Sequence, residues 1–188
     1  MKRISVFCGA SIGKNSKYVT MAKELGRLLV QNHLGLVYGG GNVGLMGTLA
    51  DSVLASGGEV IGVIPQFLVD RELAHPGATK MHVVETMHER KKTIFDLADG
   101  FIAMPGGLGT LEEIIEVLTW VQLGIHNKPC GFLNVDGYYD NLFGYFNHAE
   151  KENFLRIDPQ SIIIREKTPD LLLKKVLNHP SIQVELTR

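Results

Sequence analysis

Short runs of apolar residues alternate along this chain with longer stretches whose apolar positions recur at three- and four-residue spacing. Ile4 to Cys8, Leu34 to Tyr38, Glu59 to Ile64 (closed by Pro65), Met81 to Val84, Gly100 to Met104, Pro129 to Asn134 and Ser161 to Ile164 read as strands. Ser16 to Gln31, Val43 to Ser56, Met87 to Ala98, Leu111 to Leu123, Tyr138 to Glu150 and Pro169 to Leu177 read as helices. Strands this short and this uniformly apolar belong to a parallel sheet covered on both faces. Right-handed crossovers then predict an α/β architecture, a doubly wound Rossmann-like parallel sheet with helices on both faces and a site at the carboxyl ends of its strands. No repeat, low-complexity tract or linker interrupts the alternation, so residues 1–188 are expected to form one domain. The least regular stretch, Gln66 to Lys80 around Pro76-Gly77, is expected to be a surface loop or short helix near the site.

Composition acts mainly by exclusion. A formal net charge of −1 with no basic run leaves no electrostatic footprint for nucleic acid. No apolar stretch approaches the ~20 residues that span a bilayer, so no membrane partner is expected. The chain opens Met-Lys-Arg and enters a strand at once, which predicts no signal peptide and a cytoplasmic location. Cys8 and Cys130 sit inside apolar strand-like segments and read as small core residues of a reducing compartment. The seven histidines make no H-E-x-x-H or cysteine cluster, so no metal site is expected, and His88 and His126 read as structural or surface groups. No G-x-S-x-G turn is present to anchor a hydrolase triad.

Three segments concentrate candidate chemistry. Met104-Pro105-Gly106-Gly107-Leu108-Gly109-Thr110 leads from a strand into a helix. There glycines let backbone approach an oxyanion, first-turn amides point at it, and the helix dipole adds partial positive charge. Gly106, Gly107, Gly109 and Thr110 are the candidate phosphate cradle. Thr110 and Glu113 are also spaced as a capping box, which would be purely structural. A capping box does not call for the three glycines together, which favours a ligand. The carboxylate serving chemistry there could be Glu112, Glu113 or Glu116, since 113 and 116 share a face, as do 112 and 116. The second segment, Gly39-Gly40-Gly41-Asn42-Val43-Gly44, fits G-x-G-x-x-G, but the next strand ends Val63-Ile64-Pro65 with no acid for a nicotinamide ribose. Gly40 and Gly41 are instead read as lining a nucleotide, beside the plain alternative of a turn that packs helix on strand. In the third segment, Met87 to Lys92, cations near a helix start oppose the dipole, which points to a bound anion or acid near Arg90 and Lys91. Arg90 could hold a carboxylate in a two-pronged contact or stand against a departing base.

These residues resemble the LONELY GUY family of cytokinin riboside 5′-monophosphate phosphoribohydrolases, long misnamed lysine decarboxylases. Its signature P-G-G-x-G-T-x-x-E matches Pro105 to Glu113, and M-x-x-R-K matches Met87 to Lys91. Agreement also runs through Val6-Phe7-Cys8-Gly9, Tyr38 to Gly41, Thr119 to His126 and Leu133 to Tyr139, covering roughly Ile4 to Arg156. Ala10 departs from the serine that many members carry, while Ser11 is kept. The resemblance implies that Gly107, Gly109 and Thr110 hold a 5′-phosphate and that Arg90 and Glu113 form the catalytic pair. It implies further substrate contacts at Lys91, Thr119 and, in a loop that varies, Glu72. It also implies a purine ribotide substrate, no metal or organic cofactor, and a homodimer with the site near the subunit interface. Competing expectations are a general AMP or purine nucleotide nucleosidase and a non-catalytic carrier such as those for the molybdenum cofactor. A decarboxylase would need a Schiff-base lysine for pyridoxal phosphate, and nothing in the sequence singles one out.

Overall fold

The computed structural model describes residues 2–71, 73–155 and 157–180. Seven strands form one all-parallel sheet: β1 Arg3–Phe7, β2 Gly35–Tyr38, β3 Val60–Pro65, β4 Lys80–Val84, β5 Gly100–Ala103, β6 Cys130–Leu133 and β7 Ile163–Glu166. Their order across the sheet is β4-β3-β2-β1-β5-β6-β7. Among the described residues eight α-helices accompany the strands: α1 Lys17–Gln31, α2 Gly44–Ala55, α3 Gln66–Val69, α4 Met87–Leu97, α5 Leu108–Gln122, α6 Asp140–Lys151, α7 Pro159–Ile162 and α8 Pro169–Leu177. The doubly wound, Rossmann-like expectation therefore holds. None of the described helices is long and apolar enough to cross a membrane.

The winding fixes which helix covers which face. From β1 to β4 the chain steps one way across the sheet, and from β4 it crosses back to β5 and continues the other way. Right-handed crossovers in opposite directions put helices on opposite faces. One core accordingly gathers Leu25 and Leu29 of α1, Leu49 and Val53 of α2 and Leu172 of α8 against Ile4, Leu36 and Ile102. The other gathers Ile94 of α4, Ile114 and Val121 of α5 and Phe143 of α6 against Phe7, Val63 and Phe101. Most of these side chains are fully withdrawn from water, and strands buried on both faces explain the near-continuous apolar runs of the sequence.

Several element boundaries differ slightly from expectation, and the start of α5 and the position of β7 have a local cause. Helix α5 begins at Leu108, three residues before the apolar periodicity does, with Gly107 at its N-cap and no side-chain cap bond. Leu108 is 86% exposed and Gly109 is a poor helix former, so neither carries an apolar helical signal. Thr110 therefore lies inside the first turn and the capping-box alternative for Thr110 and Glu113 is not realised. A capping box does occur one helix earlier, where the Thr86 hydroxyl accepts from the Glu89 amide at 3.1 Å and the Glu89 carboxylate reaches back to the Thr86 amide. Near the chain's end, the expected strand Ser161 to Ile164 is displaced to Ile163–Glu166. Asp158 caps α7 by accepting from the Gln160 amide at 2.8 Å, and Pro159 at the first helical position suits its fixed φ.

Candidate active site

β1 and β5 are neighbours, but the chain leaves them toward opposite faces, into α1 and α5. The two loops part, and this switch point is where a ligand crevice forms in such sheets. A crevice of about 460 Å³ opens there, lined by Gly9 to Gly13, Tyr18, Leu45, Pro105 to Gly107 and Tyr138. That volume falls within the ~300–1,000 Å³ typical of small-molecule sites. The Gly9 amide donates to the Pro105 carbonyl at 3.1 Å, stitching the two loops together at the bottom.

The glycines of the cradle differ in what they do. A Cβ on Gly106 would lie 2.1 Å from the Thr110 hydroxyl oxygen and 2.9 Å from the Gly9 amide nitrogen, so tight packing demands that glycine. A Cβ on Gly107 or Gly109 would meet no protein atom within 4 Å, and neither residue has a positive φ. Nothing in the fold requires glycine at those two positions. What their absent side chains leave open is the approach to the first-turn amides of α5, which have no partner inside the helix.

Arg90 and Glu113 meet on the α4–α5 side of this end of the sheet. The box at Thr86 sets the phase of α4 so that Arg90 lies one turn before the buried Ile94, on the inward face. Its Nε donates to the Val63 carbonyl within β3 at 3.1 Å, and its guanidinium fills the space that a Cβ on Gly39 would occupy, 2.1 Å from Nη2. Nη1 stands 3.1 Å from Glu113 Oε1, with the two side chains only 11% and 10% exposed. The contact has ion-pair distance without hydrogen-bond alignment, and this buried oxygen accepts no hydrogen bond from the protein. Burial pushes the Glu113 carboxyl above the usual carboxylate range, against the opposing pull of Arg90.

The other two acids of α5 take a different partner. Lys91 Nζ donates to Glu112 and, at 3.1 Å, to Glu116, and the Glu112 bond in particular raises its pKa. Spacing alone left Glu112, Glu113 and Glu116 equivalent. The structure separates them, with Glu113 buried against Arg90 and the other two cross-bracing α4 and α5 through Lys91.

Other sequence candidates are dispersed. Ser11 and Gly107 line the crevice. Gly40, with φ +78°, and Gly41 lie buried beyond β2, where the Gly40 carbonyl accepts from the His75 amide at 2.9 Å and Gly41 bridges Ala74. Thr119 sits nearly two turns beyond Glu113, its hydroxyl bonded to the Ile115 carbonyl at 2.8 Å beside an apolar groove. Glu72 lies outside the described residues. His126 is built into backbone, with Nε2 at 3.0 Å from the Val117 carbonyl and Nδ1 accepting from the Lys128 amide, and burial lowers its pKa. Cys8 and Cys130 are buried free thiols whose pKa burial raises. Among the described residues, no three His, Cys, Asp or Glu side chains form a metal-binding group. Sequence reading overlooked Gly39, whose missing Cβ admits Arg90, and Tyr138 on the crevice wall. The G-Y-Y run at 137–139 was visible, but nothing in its spacing connects it to a loop thirty residues earlier.

Fold and geometry define a Rossmann-like α/β protein with a glycine-lined crevice at its switch point and a buried guanidinium–carboxylate pair at the same end of the sheet. The chain belongs to the LONELY GUY family, whose profile, described as "Possible lysine decarboxylase", matches residues 46–176. It is 51% identical to the cytokinin riboside 5′-monophosphate phosphoribohydrolase of Rhodococcoides fascians over 87% of this chain and 83% of that protein. It is 49% identical to the protein of the same name, LOG4, of Arabidopsis thaliana, over 93% of this chain and 81% of that one. Among solved structures, the molybdenum cofactor binding protein of Rippkaea orientalis superposes with TM-score 0.70 at 23% identity, covering 94% of this chain and 98% of that one. That likeness is one of fold.

The glycines differ measurably in what they contribute to stability. Gly106→Ala should destabilise the protein by about 1–3 kcal/mol through overpacking against Thr110 and Gly9. Gly109→Ala should leave stability unchanged or raise it by up to ~1 kcal/mol, since alanine is the better helix former. Urea unfolding of both variants checks the contrast.

Proposed function

We propose that this protein hydrolyses the N-glycosidic bond of adenosine 5′-monophosphates, N6-modified cytokinin ribotides above all, releasing the free base and ribose 5-phosphate. The observation carrying this reading is the buried Arg90–Glu113 pair, standing at the same end of the sheet as a glycine-lined helix N-terminus in a chain about half identical to proteins named for that reaction. Water adds at the anomeric carbon while the carbon–nitrogen bond breaks and its electron pair leaves with the base, which takes up a proton. By analogy with glycoside hydrolysis, the sugar becomes cationic on the way. Ionised, Glu113 stabilises that cation, binds ribose hydroxyls or orients the water. Arg90, always protonated, positions the substrate and offsets negative charge on the departing purine; it does not act as a proton donor. Gly106, Gly107, Gly109 and Thr110 hold the phosphate and so deliver the sugar to the pair, with Lys91, Thr119, Ser11, Gly40, Gly41 and Glu72 as further substrate contacts.

We also propose a cytoplasmic homodimer with the site near the subunit interface. The buried free thiols fit a reducing compartment, and the exposed Leu123 and Ile125, 54% and 60% accessible, offer apolar surface past the end of α5. Sedimentation should return twice the 20.7 kDa chain mass.

Chromatography of products from a panel of purine ribotides tests the reaction. Free base and ribose 5-phosphate should appear, faster from isopentenyladenosine monophosphate than from AMP. Equal rates would make the protein a general purine nucleotide nucleosidase, and intact substrate after long incubation would make it a carrier.

Glu113→Gln should cut turnover at least a hundredfold, and Arg90→Ala should abolish release of base. Because the folded carboxyl titrates above its unfolded value of ~4.3, the acid limb of the rate profile should lie above that value, activity falling as pH drops through the raised pKa. The stability linkage has the opposite sense. Between the two values the folded state holds the extra proton, so Glu113's contribution to stability declines as pH rises through that window. Full turnover by the glutamine variant removes Glu113 from the mechanism.

A further inference from the structure

We infer that Tyr138 is a positioning residue of the phosphate cradle: its hydroxyl occupies the Gly106 carbonyl oxygen, so that the turn before α5 presents backbone donors to an anion. This rests on reading the switch-point crevice as the phosphate end of a ribotide site.

Every carbonyl of the turn is engaged. The Met104 oxygen accepts from the Tyr139 hydroxyl at 2.6 Å and the Pro105 oxygen from the Gly9 amide at 3.1 Å. The Gly106 oxygen accepts from the Tyr138 hydroxyl at 2.7 Å, and the Gly107 oxygen from the Leu111 amide at 3.1 Å. The amides of the α5 first turn remain, and they carry the positive end of the helix dipole.

The Gly106–Gly107 peptide is the weak point of this arrangement. Glycine on both sides leaves it free to rotate, and its C=O and N–H point in opposite directions within one plane. A flip would replace a donor by an acceptor, and an unengaged Gly106 oxygen would set partial negative charge in the crevice. The Tyr138 hydroxyl holds the oxygen and thereby aims the Gly107 amide the other way.

The Tyr138 ring stands edge-on to that of Tyr139, centroids 5.0 Å apart, while its hydroxyl reaches the Gly106 oxygen. Tyr138 is 43% exposed, unlike its buried neighbour Tyr139, so core packing does not account for it. Its ring stands edge-on to Tyr18 across the crevice, centroids 5.6 Å apart. The turn carrying it is fixed by Asn134, which accepts from the Tyr139 amide at 2.7 Å, and by Asp136, which accepts from Asn15 at 3.0 Å and pairs with Lys17. The loops after β1 and β6 thus brace one another around the cradle.

Tyr138→Phe removes the hydroxyl and keeps the ring. KM for the ribotide and the inhibition constant of ribose 5-phosphate should rise together, about three- to tenfold, the factor matching one ordinary hydrogen bond. The kcat should change less than KM, inhibition by free adenine should be unaltered, and the melting temperature should hold. A role confined to ring packing would leave both constants where they were, and that result overturns the proposal. The wild-type enzyme distinguishes the two levels of argument: if ribose 5-phosphate fails to compete with substrate even there, the phosphate reading falls and this inference falls with it.

Discussion

β1 and β5 lie side by side, yet the chain departs from them toward opposite faces of the sheet, and the rest of the site depends on that constraint. A parallel sheet must bury both faces, and the handedness of its crossovers decides which helix covers which. Where the winding reverses, the two loops touch at their base, through Gly9 and Pro105-Gly106, and diverge above it, leaving a crevice. It brings together the carboxyl end of β1, the amino end of α5 and the turn after β6. The phosphate reading, the placement of Tyr138 and the tight fit of Gly106 against Gly9 all descend from that junction.

The Arg90–Glu113 pair is harder to explain by folding. Removing two charges from water costs several kcal/mol per ion, and a pair lacking hydrogen-bond alignment recovers only part of it. Apolar side chains of similar volume would serve the core better. The arrangement instead withholds water from a carboxylate and sets a fixed positive charge beside it, the kind of preorganisation that stabilises charge developing in a substrate. Lys91, tied to Glu112 and Glu116, steadies α4 against α5 and holds that geometry in register.

The doubly wound sheet follows from features legible along the chain, namely seven apolar runs, helical stretches between them and crossover handedness, while the order of its strands is seen only in the fold. What escaped was governed by tertiary context. The start of α5 was misplaced because Leu108, Gly109 and Thr110 combine an exposed leucine with weak helix formers, and only the loop geometry reveals that the first turn is already formed. The strand near residue 163 was shifted because the apolar run 162–164 suits either element, and the Asp158-Pro159 cap decides between them. Of the site, the pairing partner of each acid was invisible, since helical spacing places 112, 113 and 116 within one turn of each other but not relative to α4. Gly39 could be read only once Arg90 was seen filling its missing Cβ.

The same architecture serves the molybdenum cofactor binding protein of Rippkaea orientalis, so the switch-point crevice does not by itself imply bond cleavage. A cradle of backbone amides recognises an oxyanion and is indifferent to what the rest of the ligand undergoes. Reaction requires groups that respond to charge as it develops, and the buried ion pair of this chain lies on α4 and α5, outside the glycine turn. The division has a thermodynamic consequence. Gly109 weakens the first turn of α5 while Gly107, at the N-cap, does not; neither meets a contact that demands glycine, whereas Gly106 is held by packing. A sequence selected only for stability would keep Gly106 and put a better helix former at 109, so folding alone does not account for the glycine at that position.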